Sequence, residues 1–172
     1  MRPLLVIVGP PASGKTTVGT AVAAALGVPF RDTDADVEAT ARMSVADVFV
    51  EHGEPHFREL ERQAVARALA EHDGVLALGG GAVTDGASRA LLVGYGADGG
   101  TVVHLDVDLH SAAKRVGLSR DRPLLAVNPR AMLRTMLEAR APLYAEVATV
   151  TVDTAGRTPE EVVAEVLQVV EP

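Results

Sequence analysis

LLVIVGPPASGKTT, from Leu4 to Thr17, decides the fold. Leu4 to Val8 is an unbroken apolar run rich in β-branched residues, bounded by Pro3 and Gly9. A strand buried on both faces reads this way, as in a parallel sheet. The run feeds directly into Gly9-x-x-x-x-Gly14-Lys15-Thr16, and Lys15 to Leu26 continues as a helix of small residues stopped at Gly27. Strand, glycine-bounded loop and helix together form the context in which this spacing binds nucleotide phosphates. The glycines let backbone N–H groups turn inward around a phosphate, and the helix points its positive end at the same anion. Lys15 adds a full charge toward the β- and γ-phosphates, and the Thr16 hydroxyl is placed to ligate Mg²⁺. The expected nucleotide loop, 9–17, therefore includes Pro11, Ala12, Ser13, Gly14, Lys15, Thr16 and Thr17. Ala12 stands where many phosphate loops have glycine, so an unstrained methyl group there calls for a negative φ.

Outward from this loop, strands and helices alternate. VPFRDTD is a second short strand with acids at its carboxyl end, VLAL a third running into Gly79-Gly80-Gly81, TVVHLD a fourth and ATVTVD a fifth. Between them, SVADVFVEH starts at a Ser44 cap and stops at Gly53, and EPHFRELERQAVARALAEHDG is the clearest helix, with Phe57, Leu60, Ala64, Ala68 and Leu69 at helical spacing. SRALLVGYG is a short helix, GYGADGG a loop before the fourth strand, and LHSAAKRVG a helix. PRAMLRTMLEARAPLY is a helix that Pro142 is expected to end. Thr158 and Glu161 are spaced as a capping box, with Pro159 at the first helical position of the last helix. The pattern predicts one α/β domain over 1–172, a single parallel sheet covered by helices.

Composition narrows the functional classes. In 172 residues there is no Cys, which excludes disulfide and thiol chemistry, and the net charge of −7 argues against a nucleic-acid surface. No run is long enough to span a membrane, and the amino terminus reads as a buried strand rather than a signal peptide, so a soluble cytoplasmic protein is expected.

In RDTDADVE, Asp32 and Asp34 lie two apart beyond a strand's carboxyl end, where open α/β sheets hold their ligands. On an extended segment they would project from the same side, one supporting Mg²⁺ and the other meeting an attacking hydroxyl; the alternative is a pair of turn and N-cap residues. Gly79, Gly80 and Gly81 would let a substrate reach bare backbone, or would simply make a tight turn. Arg58, with Glu54 four residues before it and Glu61 three after, reads first as a surface ion pair and second as an anion clamp. Arg140 lies late in its helix, where a cation suits the dipole. Arg115, Arg120 and Arg122 flank a connection that is either a solvated charge run or a lid closing over a triphosphate. His52 and His56 are separated by Gly53 and Pro55, which interrupt any shared helix face and argue against a histidine metal site.

Taken together, GPPASGKTTVG, DTDADVE, SVADVFVEHGEPHFRELE, GVLALGGGAVT, RDRPLL and RAPLY resemble the shikimate kinase family, in this order and over nearly the whole chain. The resemblance implies a three-layer α/β/α fold like that of nucleoside monophosphate kinases, with a five-stranded parallel sheet, a substrate-binding region at about 33–61 and a lid at about 115–126. It implies ATP-dependent phosphorylation of the 3-hydroxyl of shikimate, with Mg²⁺ accompanying ATP, in a monomer with no nucleic-acid or membrane partner. It makes Lys15, Asp34 and Arg122 the catalytic residues and Thr16 and Asp32 the metal residues, Asp32 acting through water. Asp34, Arg58, Gly79, Gly80, Gly81, Arg140, Phe49, Phe57 and Glu61 would line the shikimate site. Arg122 would reach the phosphates and Arg115 would lie beside adenine, although Val116 follows where the family often has Thr. The VDTAGRTP segment is expected near adenine without individual residues being assigned. A related kinase of another small acid, such as gluconate, or of a nucleoside monophosphate is the nearest alternative. A guanine-specific switch is disfavoured because no Asn-Lys pair occurs.

Overall fold

A computed structural model describes residues 1–117 and 128–170. Five strands run parallel in one sheet: β1 Leu5–Val8, β2 Phe30–Asp32, β3 Val75–Ala77, β4 Val102–Asp106 and β5 Val150–Asp153, in the order β2-β3-β1-β4-β5. The helices among the described residues are α1 Lys15–Leu26, α2 Thr33–Ala41, α3 Val45–His52, α4 Glu54–Glu71, α5 Gly86–Ala97, α6 Leu109–Arg115, α7 Pro129–Val147 and α8 Pro159–Val170, with a short 3₁₀ turn at Ala82–Thr84.

β1 shows why its apolar run is continuous. Leu5 and Ile7 enter a core with Val18 and Val22 of α1 and Val162 and Val166 of α8. Val6 and Val8 enter the opposite core with Val65 of α4, Leu92 of α5 and Tyr144 of α7. Successive side chains of a strand point to opposite faces, so a strand between two helix layers must be apolar at every position. A third, smaller core of Val37, Val48, Phe57 and Ala64 joins α2, α3 and α4 into a cap beside the sheet.

The connection after β1 leads toward the β2 edge, whereas the connection after β3 crosses to β4 on the other side of β1. The carboxyl ends of β1 and β3 therefore flank the crevice where this class of sheet holds ligands. The phosphate loop and the three-glycine turn both start there.

Three local expectations are corrected. α7 does not end at Pro142 but continues to Val147. Tyr144 and Val147 are buried in the core, and that packing outweighs the missing N–H; the lost acceptor, the Glu138 carbonyl, belongs to an exposed residue and can turn to water. GYGADGG is not all loop, because α5 runs through Gly94, Tyr95 and Gly96 to Ala97. Tyr95 is nearly buried and its hydroxyl donates to the Pro3 carbonyl at 2.9 Å, which holds that last turn helical. Asp32 and Asp34 do not share an extended segment: Asp32 ends β2 and Asp34 already lies in the first turn of α2. At the other end of the chain, the Thr158–Glu161 capping box forms as spaced. The Glu161 carboxylate accepts from the Thr158 N–H at 2.9 Å, and the Thr158 hydroxyl accepts from the Glu161 N–H at 3.3 Å.

Candidate active site

The phosphate loop is shaped by two glycines for different reasons. Gly14 caps α1 at φ 91°, in the left-handed region. Gly9 is needed for space, since a Cβ there would stand 2.6 Å from the Leu105 carbonyl oxygen of β4. Ala12 does not have the negative φ that would leave its methyl group unstrained; it adopts φ 67°. That conformation costs an L-residue about 1–2 kcal/mol and persists only where its surroundings impose it. Its carbonyl accepts from Arg115 Nη1 at 3.0 Å, and the same guanidinium donates to Thr154 Oγ1 at 3.0 Å and to the Thr154 carbonyl at 2.8 Å. Arg115 thus ties the end of α6 to the phosphate loop and to the turn after β5.

Lys15 Nζ donates to the Pro10 carbonyl at 3.0 Å. Burial lowers its ammonium to about 8, against the opposing pull of the Asp34 and Asp32 carboxylates and with a smaller push from the Arg140 charge. Next along α1, the Thr16 hydroxyl donates to Asp32 Oδ2 at 3.2 Å, while Asp32 Oδ1 accepts from the Asp34 N–H at 2.9 Å. Asp32 is therefore both the cap of α2 and a neighbour of Thr16. Mg²⁺ in phosphoryl-transfer sites takes one or two hard oxygen ligands from protein and the rest from water and phosphate. A hydroxyl and a carboxylate side by side at the foot of the phosphate loop fit that demand.

The three-glycine turn is where the site converges. A Cβ on Gly79 would lie 2.5 Å from Asp34 Oδ1 and 2.8 Å from Glu61 Oε2; one on Gly80 would lie 2.9 Å from Pro11 Cδ; one on Gly81 would lie 2.5 Å from Arg58 Nη1. None of the three has a positive φ, so they are glycines because side chains press against them from three sides. Burial raises the Asp34 carboxyl above its usual range, and the neighbouring Asp32 charge adds to this. Arg58 is not a surface ion-pair residue. Its Nη1 holds Glu61 Oε1 at 2.7 Å, Glu61 is only 3% exposed, and the Glu54 contact at 3.4 Å is the outer one. Burial raises Glu61 while Arg58 opposes it. The Phe57 ring lies 5.2 Å beneath the guanidinium and packs on Phe49 at 4.5 Å, completing an apolar floor.

Arg140 is half-buried on α7, and its charge acts on Lys15, Glu61 and Tyr144. Tyr144, one turn later, donates its hydroxyl to the Gly80 carbonyl at 2.5 Å, and burial pushes that phenol up to about 12. Arg120 and Arg122, and with them most of the expected lid, lie outside the described residues.

On the far side of the phosphate loop, a cavity of about 200 Å³ is lined by Ala12, Gly14, Thr17, Arg115, Thr154 and Arg157, among others. Thr154 and Arg157 were not assigned from the sequence. Both lie in the VDTAGRTP segment expected near adenine, beyond the carboxyl end of the last strand. Arg157 is held by Glu165 at 2.5 Å and by the Asp153 carbonyl at 2.8 Å. Tyr144 was also missed, because nothing in RAPLY shows that its hydroxyl reaches a turn 64 residues away. His52 ends α3 and His56 lies in the first turn of α4, their rings exposed and 4.9 Å apart.

A family model described as shikimate kinase matches residues 11–171. A shikimate kinase of Salinispora arenicola is 60% identical over 96% of this chain and 96% of its own length. Among solved structures, shikimate kinase from Acinetobacter baumannii in complex with shikimate superposes with a TM-score of 0.86 at 34% identity, covering 99% of this chain and 93% of that one. A gluconokinase from Sinorhizobium meliloti superposes less well, with a TM-score of 0.62 at 25% identity over 96% of this chain and 90% of that one.

Proposed function

The chain belongs to the shikimate kinase family, and from that premise we propose that it moves the γ-phosphoryl group of ATP onto the 3-hydroxyl of shikimate, giving shikimate 3-phosphate and ADP. The observation that carries the reading is the convergence on the glycine turn. Asp34, the Arg58–Glu61 pair and Pro11 of the phosphate loop all abut Gly79–Gly81, so an acid held on one side faces a triphosphate held on the other.

Each residue then has a physical task. The loop N–H groups, the amino end of α1 and Lys15 hold the β- and γ-phosphates. Thr16 and Asp32 would hold Mg²⁺, which neutralises charge on the phosphate oxygens when bound. Arg58, its orientation set by Glu61, takes the substrate carboxylate together with Arg140; guanidinium–carboxylate hydrogen bonds are charge-assisted and directional. Phe49 and Phe57 exclude water beside that pair. Asp34 accepts a hydrogen bond from the reacting hydroxyl, and its raised pKa suits it to take the proton as the new P–O bond forms. Because phosphoryl transfer has a loose transition state, catalysis rests mainly on alignment and on fixed positive charge. Arg122 would add to that charge. Arg115 and Arg157 would border the base. The site residues among those described all come from one copy of the chain, which supports a monomer. No helix among the described residues is long and apolar enough to cross a membrane, in keeping with a cytoplasmic enzyme.

Incubation with ATP, Mg²⁺ and, separately, shikimate, gluconate and nucleoside monophosphates tests the assignment. Shikimate alone should accelerate ADP release. Acceleration by gluconate or by a nucleotide, with shikimate inert, would refute it.

A further inference from the structure

Thr33 lies between the two site carboxylates and is fully buried. β2 ends at Asp32 because that residue caps α2, and the register pairs Asp32 with Ala77 of β3. Leu78 and Gly79 therefore run on past the end of their neighbour strand. A buried backbone N–H must find an acceptor, and here the ladder no longer offers a carbonyl on that side. The Gly79 N–H donates instead to Thr33 Oγ1 at 3.0 Å, across 46 residues of sequence. Gly79 is also the residue against which Asp34 Oδ1 and Glu61 Oε2 rest, and Glu61 in turn holds Arg58. The hydroxyl thus sets the spacing between the acid-bearing turn and the glycine wall.

We propose that Thr33 is a positioning residue for the acid substrate: by holding the Gly79 N–H it fixes the wall on which Asp34 and the Glu61–Arg58 pair are aligned. This rests on the reading of Asp34 and Arg58 given above. The hydroxyl touches neither substrate; it acts through Gly79, on the acid side of the crevice and not on the nucleotide side.

Thr33→Val keeps the shape of the side chain and removes the acceptor, whereas Thr33→Ser keeps the acceptor. Steady-state rates with shikimate and ATP varied separately should show Thr33→Val losing at least about tenfold in kcat/KM for shikimate, with KM for ATP within about twofold of the parent, and Thr33→Ser within about threefold of the parent throughout. Equal losses toward both substrates, equal losses in the serine variant, or an unchanged valine variant would each overturn the proposal. Amide hydrogen exchange at Gly79 in the unmodified protein gives a readout that survives if the valine variant does not fold. That amide should be strongly protected, and exchange at the rate of an exposed glycine would overturn the proposal regardless of the variants. The two readings fail separately. An unmodified chain inert toward shikimate brings down the substrate assignment, whereas an active chain indifferent to Thr33→Val brings down only the role of Thr33.

Discussion

Asp34, Lys15 and Ala12 show three ways in which a residue departs from its ordinary state in this crevice. For Asp34, burial and the Asp32 charge raise the carboxyl. Replacing it with Asn keeps the shape and removes the proton acceptor. Turnover of shikimate should fall by about 10²–10⁴-fold with KM for ATP little changed; near-normal turnover in a coupled ADP assay would contradict its role. Lys15 is lowered to about 8. A lysine whose folded pKa lies below the unfolded value leaves the folded chain binding fewer protons between about pH 8 and 10.5, so this group's contribution to stability rises with pH across that window. A bound triphosphate favours the charged form. ATP titration at pH 8 should therefore draw in about half a proton, seen as a heat that depends on buffer ionisation enthalpy, and this contribution should vanish at pH 6. A buffer-independent heat at pH 8 would contradict it. Ala12 sits at φ 67°. Ala12→Gly relieves the steric cost but frees the unfolded chain, for a net gain of about 0.5–1 kcal/mol in urea unfolding; a loss of stability would show that the methyl group is supported by packing. The type of residue at position 12 is plain in the sequence, but its φ is set by the loop closing between Gly9 and Gly14 and by the Arg115 contact, neither of which is local.

At the level of elements, what could be read from the sequence is what periodicity and caps encode. The apolar strands, the Ser44 start and Gly53 stop of α3, and the capping box of α8 all follow local rules. α5 and α7 ran further than those rules allow because a single tyrosine near each end is anchored by a distant carbonyl, Tyr95 to Pro3 and Tyr144 to Gly80. Arg58 is the same case on a helix surface. Its i−4 and i+3 partners were visible, but burial of Glu61 against Gly79 was not, and burial converts an ordinary surface ion pair into one fixed against the glycine turn. Pro142 gives a direct test of the α7 account. Pro142→Ala restores a backbone donor to the Glu138 carbonyl and should raise stability to urea by about 1–2 kcal/mol. A variant less stable than the parent would show that the chain has been shaped around the proline ring.

Across the whole molecule, the alternation of strands and helices announced a parallel sheet, and the five strand segments set its strand number. Neither showed that β1 would lie between β3 and β4, because an apolar run reports burial on two faces and not the identity of its neighbours. That order puts the phosphate loop and the glycine turn on one crevice, and the site is a consequence of it. The cap of α2, α3 and α4 brings Asp34, Phe49, Phe57 and Arg58 to one side, and α7 brings Arg140. The central claim is spatial: two guanidinium groups from distant helices hold one carboxylate so that an alcohol of the same molecule faces the phosphate loop. A crystal structure of the chain with shikimate and a non-hydrolysable ATP analogue tests it most directly. The account predicts the carboxylate within hydrogen-bonding distance of both Arg58 and Arg140, with a ring hydroxyl on Asp34. A carboxylate bound elsewhere, with both guanidinium groups turned out to solvent, would contradict it.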